Sequence, residues 1–99
     1  KERFPIVPNV PSIAESAAMK AYDVSTWYGF FGPRGIPSEI VAKLNTTLNE
    51  ALKDEAVRDK LTKAGVAVQG STPEAFGKFM ADELARWDKV RTAAGIEKQ

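Results

Sequence analysis

Asp23-Val24-Ser25-Thr26-Trp27-Tyr28-Gly29-Phe30-Phe31 decides how the rest of the chain is read. β-Branched and aromatic residues dominate it, and Gly32-Pro33-Arg34-Gly35 punctuates its end, the pattern of a strand running into a turn. Alternation places Val24, Thr26, Tyr28 and Phe30 on one face and Ser25, Trp27, Gly29 and Phe31 on the other. Bulky apolar groups fall on both, so the segment reads as a central strand covered from two sides. Such a strand needs hydrogen-bonded neighbours. The only other strand pattern is the short Val66-Ala67-Val68-Gln69, so the expectation is an α/β unit whose sheet is completed from elsewhere, or by a second copy exchanging elements as a swapped dimer.

Downstream, helical periodicity takes over. Pro37 opens a helix expected to run to about Asp54, with Ile40, Val41, Leu44, Leu48 and Leu52 as its apolar stripe and Glu39, Lys43, Asn49 and Lys53 opposite. A shorter helix over about 55–64 turns Val57 and Leu61 inward and ends at Gly65. Thr72-Pro73-Glu74 supplies a cap, a first-turn proline and an early carboxylate for a long helix to about Ala94, stopped by Gly95-Ile96. Phe76, Phe79, Met80, Leu84, Trp87 and Val90 share one of its sides.

Upstream, Pro5, Pro8 and Pro11 recur at every third position and predict an extended or polyproline-like course. Ser12 and Glu15 form a Ser-x-x-Glu capping box that predicts a short helix over about 13–19.

The chemistry is bounded by what is missing. The 99 residues contain no cysteine and no histidine, which excludes disulfides, thiolate nucleophiles, thiolate or imidazole metal sites and imidazole-based triads. Fourteen basic against thirteen acidic residues give a net charge of +1, too little to hold nucleic acid or an anionic membrane. The carboxylates Glu50, Asp54, Glu55 and Asp59 are interleaved with Lys53, Arg58 and Lys60 as on a solvated helix face. Gly29-x-x-Gly32-x-x-Gly35 has neither dinucleotide spacing nor the Lys-Ser/Thr of a phosphate loop, and reads as turn chemistry. No catalytic residue, metal site or cofactor is expected. Trp27, beside Ser25 and Thr26, has two open readings: a wall of a small-molecule pocket or core packing.

Three runs carry a family resemblance: Arg3-Phe-Pro-Ile-Val-Pro-Asn-Val-Pro-Ser-Ile-Ala-Glu15, Tyr22-Asp-Val-Ser-Thr-Trp-Tyr-Gly-Phe-Phe-Gly-Pro33 and Gly35-Ile-Pro-Ser-Glu-Ile-Val-Ala-Lys-Leu-Asn45. Together with Val66-Ala-Val-Gln-Gly-Ser-Thr-Pro-Glu-Ala-Phe76, the final Trp-containing helix and Gly95-Ile96, they resemble the C-terminal segment of the substrate-binding proteins of tripartite tricarboxylate transporters. Asn9 and Ser12 stand where that family commonly has Asp and Thr, and Ile36 where it has Thr.

The resemblance implies a C-terminal fragment of a type II periplasmic-binding-protein fold, here mostly helical with one long central strand (about 23–31) and one short strand (about 66–69). Residues 1–22 would end the second domain and connect to the hinge, and 23–99 would complete the first. Function, by the same resemblance, is that of a periplasmic solute receptor, not an enzyme. It captures a small organic carboxylate together with the missing N-terminal part and delivers it to membrane permease subunits. The implied ligand contacts are the loop Asn9, Val10, Pro11, Ser12 and the residues Ser25, Thr26 and Trp27. Most of the site, and with it the choice of carboxylate, would lie upstream. Two alternatives stay open: a helical interaction or dimerisation module with no small ligand, and the C-terminal cap of an α/β enzyme. The isolated fragment is expected to self-associate through its unpaired strand.

Overall fold

The computed structural model describes residues 2–97; residues 1, 98 and 99, the outermost positions of the two domain assignments, lie outside the described part. Three helices form the body, α1 (Ser38–Ala51), α2 (Glu55–Lys63) and α3 (Pro73–Ala93), preceded by 3-10 turns at Ile13–Glu15 and Ala17–Met19.

No strand occurs among the described residues, which overturns the expected α/β class with its central strand at 23–31 and short strand at 66–69. The segments are present but irregular. A β-ladder is made of paired main-chain groups, and β-propensity cannot supply the neighbouring strand.

The helix ends follow their capping chemistry. Thr72 Oγ1 accepts the Ala75 N–H at 3.1 Å, with Pro73 in the first turn of α3. Asp54, read from sequence as one of a row of surface carboxylates, accepts the Val57 N–H at 3.0 Å and caps α2. Gly65 (φ 84°) and Gly95 (φ 68°) close α2 and α3 from the left-handed region. At each, the glycine N–H and the one after it bond back into the last turn: Gly65 to Thr62 and Val66 to Leu61, Gly95 to Thr92 and Ile96 to Arg91.

The proline-rich start is not polyproline-like. Val7 N–H donates to the Phe4 carbonyl at 3.0 Å and Val10 N–H to that of Val7 at 2.9 Å, giving two successive reverse turns. Pro5 and Pro8 occupy the second position of each, where a fixed φ favours the turn. The three-residue proline period is therefore the period of the turns. The helix expected over 13–19 is likewise split, because Ser16 adopts an extended conformation (φ −71°, ψ 130°) between the two 3-10 turns.

α1 meets α3 through a polar junction. Asn45 and Asn49 each donate a carboxamide N–H to the Ser71 carbonyl at 2.9 Å, and Asn49 also reaches the Asn45 carbonyl at 3.0 Å. Asn49, assigned by periodicity to the outer face, is half-buried, whereas Ile40 and Leu44 of the apolar stripe are exposed. On α3, Phe76 and Met80 are half-buried, but Leu84 is 70% exposed.

No described residue is fully buried. The radius of gyration is 17.0 Å, against about 13 Å for a compact chain of this length. The accessible surface is 8738 Å², against about 5,500 Å² for a compact protein of 10.8 kDa. The chain exposes on the order of 3,000 Å² more surface than a compact protein of its mass.

Candidate ligand loop and aromatic platform

The sequence-predicted site residues fall into two groups with different neighbours. Asn9, Val10 and Pro11 are exposed and Ser12 is half-buried, at the top of the turns that begin at Phe4. Arg3 fastens this loop. Its Nε and Nη2 donate to Oε1 and Oε2 of Glu15, both at 2.6 Å, and its Nη1 donates to the Pro8 carbonyl at 3.2 Å. Glu15 in turn accepts the Ser12 N–H at 3.0 Å, closing the capping box read from sequence. The carboxyl of Glu15 is held down to about 2, first by the hydrogen bonds from Arg3 and then by the Ser12 N–H.

This bonding decides which donors the loop can offer. Val10 N–H is used by the Val7 carbonyl, Pro11 has none, and Ser12 N–H is used by Glu15. Asn9 keeps both its main-chain N–H and its carboxamide without a partner among the described residues. The free main-chain N–H of the loop is therefore that of Asn9.

The second group lies on α3. Trp27 meets Phe76 edge-on at 5.6 Å and Phe79 edge-on at 5.3 Å between ring centroids, while Phe31 tilts onto Phe76 at 5.4 Å. Edge-to-face contacts use the positive ring edge against the negative face. Trp27 thus has one side against the α3 aromatics and at 38% exposure leaves the other open. Ser25 and Thr26 are exposed beside it. Arg86 ties the start of the segment down by donating Nη2–H to the Asp23 carbonyl. Beyond Trp27, Tyr28 and Phe30 stand out bare, 87% and 79% exposed.

Sequence reasoning missed a hollow of about 420 Å³ where α1, α2 and the start of α3 converge, lined by Asn49, Lys53, Arg58 and Ser71 among others. Arg58 is committed there, donating to the Leu52 carbonyl at 3.3 Å at the end of α1. Its role is to close a helix terminus.

Residues 1–96 match the tripartite tricarboxylate transporter family receptor. The chain belongs to this family of transport receptors. It is 36% identical over 89 residues to a UPF0065 protein in the tcbD-tcbE intergenic region of Pseudomonas sp. (strain P51), covering 90% of this chain and 26% of that protein. A UPF0065 protein in the clcB-clcD intergenic region of Pseudomonas knackmussii is 37% identical over 86 residues, 87% of this chain and 51% of the relative. Protein BugT of Bordetella pertussis is 33% identical over 90 residues, 91% of this chain and 27% of its own length. The chain thus spans about a quarter to a half of the length of these curated relatives. No solved structure matches it.

Proposed function

We propose that the chain is the C-terminal part of a periplasmic solute-binding receptor that captures a small organic carboxylate and passes it to membrane permease subunits, with no catalytic step of its own. Residues 1–22 belong to one lobe and its connection, and the rest contributes to the other. The observation that carries the reading is the loop Asn9–Ser12, built on consecutive turns and fixed at its base by Arg3 and Glu15. Asn9 offers a main-chain N–H and a carboxamide to a carboxylate, donors that gain strength when a closing cleft excludes water. In the assembled receptor Ser25 and Thr26 contribute hydroxyls, and the exposed part of Trp27 forms an apolar wall. The bare row of Tyr28, Phe30 and Phe31 is the surface that the remainder of a family-length protein covers.

The competing reading is an interaction module that uses the same bare row to bind a partner or a second copy. Thermal melting of the family-length protein against a panel of organic carboxylates, with the 99-residue chain alongside, separates the two. Ligand-dependent stabilisation of the long protein alone supports the receptor. A folded long protein indifferent to every acid favours the interaction module.

A further inference from the structure

Arg3 makes three hydrogen bonds at once, two to the Glu15 carboxylate at 2.6 Å and one to the Pro8 carbonyl at 3.2 Å, so it spans the loop from its base to the residue before Asn9. Glu15 holds the far side through the Ser12 N–H at 3.0 Å. An exposed ion pair adds little to stability in general. This one is a planar fork matched to both carboxylate oxygens, a geometry that fixes direction as well as distance. Its span encloses Asn9, Val10 and Pro11 between two anchored main-chain points.

We propose that Arg3 and Glu15 are positioning residues, a latch that holds Asn9 in its presenting geometry before ligand arrives. The role rests on the reading of Asn9–Ser12 as a carboxylate-binding loop. Without the fork, the two turns keep only their own hydrogen bonds from Val7 and Val10, and the loop must be ordered as the ligand binds. A loop that must be ordered on binding is expected to bind roughly tenfold more weakly.

The test uses the family-length protein carrying Arg3→Gln or Glu15→Gln. The second variant keeps an oxygen for the Ser12 N–H and removes only the charged fork, and Arg3→Lys keeps the charge without the fork. Three readouts are taken: hydrogen exchange of the peptide covering residues 4–15, carboxylate affinity by calorimetry, and the melting temperature without ligand. The latch requires faster exchange in that peptide and about tenfold weaker binding in both Gln variants, little change in unliganded melting, and no full rescue by Arg3→Lys. Unchanged exchange overturns the latch whatever the ligand data show. Faster exchange with wild-type affinity overturns the positioning role. If the folded wild-type protein binds no carboxylate, the receptor reading and the positioning role fall together, and the exchange data alone then report whether the fork orders the loop.

Discussion

Phe76 lies so close over Gly29 that a Cβ at that glycine would come within 2.3 Å of the ring Cζ. The ring has little room to retreat, because Trp27, Phe31 and Phe79 surround it. Gly29→Ala is expected to destabilise a family-length protein by about 1–3 kcal/mol through overpacking. Gly77→Ala on α3, with open space at its Cβ, is expected to stabilise by about 0.5–1 kcal/mol. Urea denaturation of both variants checks the pair. Equal effects would mean that Gly29 does not lie against Phe76.

The junction of α1 with α3 rests on one carbonyl. Ser71 accepts from both Asn45 and Asn49, so either donor alone keeps it satisfied. Asn45→Ala or Asn49→Ala is expected to cost about 0.5–1.5 kcal/mol, and the double variant more than their sum. A double-mutant cycle by urea denaturation measures this. Simple additivity would show that the two donors act independently.

The sign of the pH response at Glu15 follows from its carboxyl, about 2 in the folded chain against an ordinary 4.5. A group depressed on folding stabilises fully above its unfolded value, and the contribution is lost as pH falls through the folded value. The Ser12 amide and the Glu15 carboxyl carbon should therefore hold steady from neutral pH to about 4.5 and move together towards about 2. NMR titration of these two nuclei is the check. A midpoint near 4.5 would mean that Arg3 does not hold the carboxylate.

The 99-residue chain alone carries its bare aromatic row into solution. Light scattering across a concentration series is expected to show mass rising with concentration, and Tyr28→Ser with Phe30→Ser to suppress the rise. A monomer at all concentrations with a cooperative thermal transition would contradict this.

What could be read from the sequence was what is local. Thr72-Pro73-Glu74, Gly65 and Gly95 mark helix ends because caps act within one turn, and the Ser12–Glu15 box was legible for the same reason. Asp54 carried a cap signal too, but its charged neighbours drew it into the reading of a solvated face. Asn49 was assigned to the wrong face because periodicity tracks apolar residues, and α1 turns two asparagines towards the Ser71 carbonyl. The Arg3 fork joins residues whose spacing matches no local rule, and only the turns at Pro5 and Pro8 bring its ends together. Residues 23–31 have the composition of a strand, yet a strand needs a paired neighbour, and no second strand forms among the described residues. The bulk of Trp27 marked it as a residue that seeks apolar neighbours, whereas its edge-on fit to Phe76 and Phe79 depends on where α3 lies.

Calorimetric titration of a family-length protein and its Asn9→Ala variant with organic carboxylates addresses the receptor reading most directly. Saturable one-to-one binding to the wild type, weakened about tenfold by the loss of the Asn9 carboxamide, is the expected result, in line with a hydrogen bond to a charged group. A folded wild type that takes up no carboxylate, or an Asn9→Ala variant that binds as tightly as wild type, would contradict it.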